Sequence, residues 1–186
     1  MVKVSDTFWD LLEVERDRVW QLSYALTGSY DEAYDLASET FLAAYKSFPK
    51  LRDTTVFRKF LSTITIRIHR RKRWRARIFA PLLEAEDSLY EMNNESSYDL
   101  ELLLASLKKL PASQRETIVL FEISGLSLKE IREIQGGSIS GVKSRLTRAR
   151  DNLRRLITDS NLQKNGGVSA ENPLHDLPNN FRIQPS

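Results

Sequence analysis

Apolar residues recur at three- and four-residue intervals over most of this chain, the period of helices with one buried face. Ser5 or Asp6 can cap a first helix that runs to about Leu26, and Gly28 stops it. The next segment has the clearest period. Ala33, Leu36, Ala37, Thr40, Phe41, Ala44, Tyr45 and Phe48 make one stripe that Pro49 ends, and Asp35, Ser38, Glu39, Leu42 and Lys46 share the opposite face. After a loop from Pro49 to Thr55, a third helix is expected to bury Phe57, Phe60, Leu61, Ile64 and Ile68.

Periodicity then fades. Residues 79–99 carry Pro81 and an Asn/Ser cluster, and they read as an extended or partly helical connector. Asp99 can cap a further helix with a stripe of Leu100, Leu103, Leu104, Leu107 and Leu110. Residues 112–124 predict another, anchored by Ile118, Val119, Phe121 and Ile123 and ended by Gly125. Ser127 and Glu130 are spaced as a capping box for a short helix to about Ile134. Gly136-Gly137 turns the chain into a longer helix from about Ser140 to Ile157, with Val142, Leu146, Ala149 and Leu153 inward. The expected fold is therefore all-α: two small helical domains, 5–78 and 100–158, joined by a linker at 79–99 and followed by a tail at 159–186.

Charge sharpens this outline. Net charge is only +3, but Arg67, Arg70, Arg71, Lys72, Arg73, Arg75 and Arg77 crowd the end of the third helix. A second basic group spans Lys143 to Arg155. Residues 78–107 hold no Lys or Arg and seven acidic residues, so the connector is acidic. A run as basic as the third helix repels itself and calls for an anionic partner, with phosphate backbone the obvious one. Trp74 lies among these arginines, where it can stack on an unpaired base or simply pack. A solvated helix face would give the same charge run. A short helix, a glycine turn and a longer basic helix form the helix-turn-helix pattern, whose second helix meets the major groove through its N-terminal residues. Here these are Ser138, Ser140, Lys143, Ser144 and Arg148, with Arg145, Arg150, Arg154 and Arg155 placed for phosphates or solvent.

Other classes recede. The absence of cysteine removes disulfides, thiolate metal sites and Cys nucleophiles. No nucleophile or ligand cluster accompanies Asp35 and Glu39, so no catalytic residue, metal or cofactor is expected. The first residues are too charged for a secretory signal, and no apolar run approaches the ~20 residues of a membrane span, which points to a cytoplasmic protein.

Two segments carry a resemblance. AYDLASETFLAAYKSF, residues 33–48, resembles the region 2 signature of the extracytoplasmic-function (ECF) group of sigma-70 family sigma factors, which usually reads Asp-x-x-Gln-Glu-x-Phe. LPASQRETIVLFEISGLSLKEI…GVKSRLTRARDNLR, from Leu110 to Arg154, resembles region 4. The resemblance implies a sigma factor that brings RNA polymerase core to promoter DNA and assists its opening. Asp35, Ser38, Glu39 and Leu42 would dock on the clamp of the largest subunit. Lys50, Arg52, Arg58, Arg67, Arg70, Arg71, Arg73 and Trp74 would hold the unwound −10 element. Ser138, Ser140, Lys143, Ser144, Arg145 and Arg148 would meet the −35 duplex, with the same domain touching the polymerase flap. The acidic linker would thread toward the active-site cleft. A helix-turn-helix regulator that acts without polymerase is the alternative.

The chain departs from the family pattern. Ser38 replaces the usual Gln, Arg67 a usual Asn and Arg71 a common Asp. Arg132 stands where a small Ala is normal, Gly137 near a usual apolar residue and Gly141 where a Thr is usual. Gly in a helix is about 1 kcal/mol worse than Ala. Weakened autonomous −35 reading is therefore expected. The tail, with Leu174, Leu177, Phe181 and Ile183, is a candidate docking segment for a recruiting protein or an anti-sigma factor.

Overall fold

The computed structural model describes residues 4–79 and 95–165, and the linker core and the tail from residue 166 lie outside them. Among the described residues the chain is all-helical: α1 (Val4–Thr27), α2 (Tyr30–Ser47), α3 (Phe57–Phe79), α4 (Glu95–Lys109), α5 (Ala112–Glu122), α6 (Leu128–Gln135) and α7 (Ile139–Asn165), with two short 3-10 turns at Phe48–Lys50 and Thr54–Val56. No helix among them is long and apolar enough to cross a membrane.

Each helix follows from local chemistry, with four differences from expectation. α1 is already helical at Val4, so Ser5 and Asp6 lie inside it; Gly28 closes it at φ 66°, a conformation that suits glycine. Tyr45, grouped above with the buried stripe of α2, is exposed and stacks on Trp9 at 5.8 Å between ring centroids. α4 begins at Glu95, one turn before Asp99. α7 continues to Asn165, beyond the expected end near Ile157, with Leu156 and Ile157 its last described residues in the core. The capping box forms as expected: Glu130 N–H donates to Ser127 Oγ at 3.3 Å, and Ser127 N–H donates to the Glu130 carboxylate at 2.9 Å. Gly136 and Gly137 both take positive φ, 81° and 86°, which favours glycine at both positions of this turn.

Two cores result. Phe8, Leu12, Val19, Ala37, Ala44, Phe48, Phe57 and Leu61 fill one end of the α1–α3 bundle. The other core crosses the expected domain boundary. Leu22, Ala25, Leu26, Leu36, Ile66 and Ile68 from the first three helices join Leu103, Leu107, Ile118, Val119 and Leu120 from α4 and α5 in one buried cluster. The halves are thus closed on one another, and α1 contacts both α4 and α5. Among the described residues, their apolar faces meet each other rather than water.

Candidate nucleic-acid and partner interface

The basic residues of α3 and of the loop before it are split between three environments. Arg67, Arg71, Arg75, Arg77 and Trp74 are exposed, Trp74 at 63%. Lys50 and Arg52, also exposed, flank the loop before α3. Arg58 is tied to α1, its Nε donating to the buried Glu15 carboxylate at 3.1 Å. Arg70 and Arg73 turn toward the second half. Arg70 forms a bidentate pair with Glu116 on α5 through Nε at 3.1 Å and Nη2 at 2.6 Å. Its hydrogen bonds to the Glu116 carboxylate, against the opposing effect of burial, hold Arg70 above its ordinary pKa.

Glu116 is almost fully buried, and sequence reasoning missed it. The signal was present: Glu116 shares a helical face with Val119, Leu120 and Ile123, and a carboxylate on an apolar stripe needs a cation. The network continues. Gln135, at the end of α6, donates to the Glu116 carboxylate at 3.4 Å and accepts from Thr117 Oγ at 2.8 Å and from Arg145 Nη1 at 2.5 Å. A chain of polar contacts therefore links α3, through Arg70, to α7, through Arg145. Two further contacts cross the halves. Lys59 Nζ meets Glu133 at 2.9 Å and holds that carboxylate below its usual pKa. Arg115 Nη1 donates to the Leu26 carbonyl at 3.0 Å, satisfying an open carbonyl in the last turn of α1.

His69, also unassigned by the sequence, is buried at this seam with only 6% exposure. Burial first, then Arg73, lowers its pKa to about 4; Arg115 and Arg70 add to this, and Glu116 opposes it. Because the folded value lies below the unfolded one near 6.5, neutral His69 supports the fold fully above pH 6.5. That support is lost as pH falls from there toward 4. The wild-type protein is expected to lose about 2 kcal/mol more than His69→Gln between pH 7 and pH 5. Urea unfolding of both proteins at the two pH values checks this, and equal losses would contradict it.

The face of α2 forms as the spacing predicts. Asp35, Ser38 and Leu42 are exposed and Glu39 is half-buried, with Leu42 at 55% exposure. The carboxylates are occupied from α3: Lys72 contacts Asp35 and, at 2.7 Å, Glu39, and Arg71 Nη2 meets Glu39 at 3.1 Å. Tyr34, at 64% exposure, extends this face, and Tyr45 lies beside it. Their four-, eight- and eleven-residue offsets (Tyr34, Ser38, Leu42, Tyr45) were visible in the sequence, but Tyr45 was absorbed into the apolar stripe.

In the helix-turn-helix, Ser138 stands immediately before α7 and its Oγ accepts from Gly141 N–H at 3.1 Å, so it caps the helix; Ser140 Oγ lies 3.0 Å from it. Ser140, Lys143, Ser144 and Arg148 are exposed, and Arg145 is half-buried against Gln135. Arg150, expected at phosphates or solvent, donates through Nε and Nη2 to a single Glu122 oxygen and sits 5.1 Å from the Phe121 ring centroid. Arg132 bends outward and is exposed. Among the described residues no group of His, Cys, Asp and Glu is disposed to hold a metal.

A basic helix beside an acidic helical face, with a helix-turn-helix on the same chain, defines an all-helical protein of helix-turn-helix type. Residues 11–77 match the family model for sigma-70 region 2, and residues 100–153 match that for sigma-70 region 4. The chain is 35% identical over 155 residues to the ECF RNA polymerase sigma factor SigE of Mycolicibacterium smegmatis, covering 78% of this chain and 60% of that one. It is 29% identical to SigW of Bacillus subtilis, covering 83% and 90%, and 32% identical to EcfG of Rhodopseudomonas palustris, covering 72% and 75%. The sigma factor RpoE of Bartonella quintana, solved in complex with the anti-sigma factor NepR, matches 82% of this chain and 97% of its own with a TM-score of 0.71 at 26% identity. The chain belongs to the ECF group of the sigma-70 family.

Proposed function

We propose that this protein is a sigma factor that directs RNA polymerase core to promoters in the cytoplasm and assists strand opening by binding, the chemistry remaining with the polymerase. The observation that carries this reading is that region 2 and region 4 occur in order on one chain, the first bearing the Asp35–Leu42 face and the basic, Trp74-bearing α3. Asp35, Ser38, Glu39 and Leu42 take the docking role on the largest-subunit clamp. Lys50, Arg52, Arg58, Arg67, Arg70, Arg71, Arg73 and Trp74 take the −10 strand. Affinity for separated strands then favours open DNA. Ser138, Ser140, Lys143, Ser144, Arg145 and Arg148 take the −35 duplex, while the domain also touches the flap. Arg58, Arg70 and Arg145 join only after their present carboxylate or amide partners let go.

An anti-sigma partner fits the closed form, since the RpoE match extends over both halves of a sigma factor held by NepR. Reduced autonomous −35 reading also belongs to this proposal. Gly141 offers no hydroxyl at the third residue of α7, although the outward course of Arg132 leaves the helix pair intact. A recruiting protein on the tail, residues 159–186, would then supply promoter choice.

The test is to mix the purified chain with core polymerase and look for run-off transcripts from genomic fragments. A complex and discrete transcripts are expected. No complex with core overturns the proposal, and a footprint on duplex DNA without polymerase would favour an independent regulator instead.

A further inference from the structure

The α2 face and the basic end of α3 meet through paired side chains. Asp35 and Glu39 stand one turn apart on α2, and Arg71 and Lys72 are neighbours on α3. Lys72 contacts both carboxylates and Arg71 takes the second oxygen of Glu39. The helices that carry them are held close by the buried Thr40 and Thr65 hydroxyls, 3.4 Å apart. Burial opposes the charge on Lys72, but the two carboxylates overcome it and hold the ammonium above its ordinary pKa. Arg71 contributes one of these pairs, at 3.1 Å.

We propose that Arg71 and Lys72 form an intramolecular clamp on Asp35 and Glu39, so that polymerase docking on α2 and single-strand capture by α3 release the groups that each other needs. The inference rests on the docking role proposed for Asp35 and Glu39. A basic surface arriving on those carboxylates displaces the ammonium and guanidinium. The displaced cations lie on the same helix end as exposed Arg67, Trp74 and Arg75 and become available to phosphates. The reverse holds as well: phosphates that draw Lys72 and Arg71 away expose the carboxylates to the polymerase. The coupling is reciprocal, as linkage requires. In the absence of either partner both faces are partly neutralised, which limits adventitious binding to nucleic acid and to basic proteins.

The test uses the full chain and a fluorescent single-stranded oligonucleotide of mixed sequence, titrated without polymerase at low and moderate salt. Asp35→Asn with Glu39→Gln is expected to bind roughly five- to tenfold tighter than wild type, with a salt slope steeper by about 1.4, the increment for two further phosphate contacts on a single strand. Glu13→Gln with Asp17→Asn removes equal charge from the exposed face of α1 and is expected to shift affinity by no more than about twofold. Equal shifts in the two double variants, or an unchanged slope, would overturn the clamp. Core polymerase binding is measured on the same proteins, with helical content checked by circular dichroism. Loss of core binding with unchanged DNA affinity leaves the docking face standing and removes the coupling. Unchanged core binding removes the docking face itself, and the coupling with it. Lys72→Gln is expected to tighten core binding several-fold; weaker binding would count against the clamp.

Discussion

Arg70→Ala is expected to destabilise the protein by about 2–3 kcal/mol, and adding Glu116→Gln to the same chain is expected to recover most of that loss. The asymmetry comes from burial. The Glu116 side chain keeps 5% of its exposure and that of Arg70 keeps 43%. Removing Arg70 therefore leaves a carboxylate out of water with the Gln135 amide, at 3.4 Å, and the more distant Arg115 charge to answer it. Breaking a buried pair from one side costs about 3–5 kcal/mol in general; the residual amide and the partial exposure of Arg70 place this one lower. Neutralising Glu116 removes the stranded charge, so the double variant should behave better than the single one. Urea denaturation of the two variants and wild type at neutral pH is the measurement, and additive losses would contradict the account. The double variant should also be the more open protein, since the bidentate contact between the halves is gone.

Phe8→Ala should cost more, about 3–5 kcal/mol, as expected for deleting a fully buried aromatic ring. Phe8 has no exposed surface. Its ring meets those of Tyr45, Phe48 and Phe57 edge-on at 5.2, 5.2 and 5.8 Å. Neighbouring Trp9, 56% exposed, should cost less than about 1 kcal/mol when truncated. The damage from Phe8→Ala has a direction. Phe48 and Phe57 bracket the segment carrying Lys50 and Arg52, so a cavity there loosens a loop that Phe8 itself never joins. Hydrogen exchange should quicken at residues 48–57 well before α5 and α7 are affected. Uniform quickening across both halves would show that the two cores unfold as one unit.

The helices were legible because their stripes are regular. Val142, Leu146, Ala149 and Leu153 are buried as their spacing requires, and the Ser127–Glu130 box closes as its residues dictate. Exposed candidates such as Ser140, Lys143, Arg67 and Trp74 were legible for the same reason, being off the stripes. What escaped was pairing over long sequence separations. Arg70 reads as one more arginine in a basic run until Glu116, 46 residues on, is placed against it. His69 likewise becomes informative only when α5 covers it. Tyr45 shows the limit of periodicity itself: it borders the stripe, one edge against buried Phe8 and the ring stacked on exposed Trp9.

The closed seam has a consequence for how a partner must act. Residues 80–94 join α3 to α4 covalently, so the two halves meet as parts of one molecule. Covalent connection over a short span of chain presents each half to the other at an effective concentration on the order of millimolar. Closure is then insensitive to dilution, and the fraction of open molecules is the same in a scarce protein as in an abundant one. A partner that keeps the halves apart, present at far lower concentration, has to make up that difference through contacts found only in the open form. Lengthening the tether would lower that threshold without altering any residue at the seam.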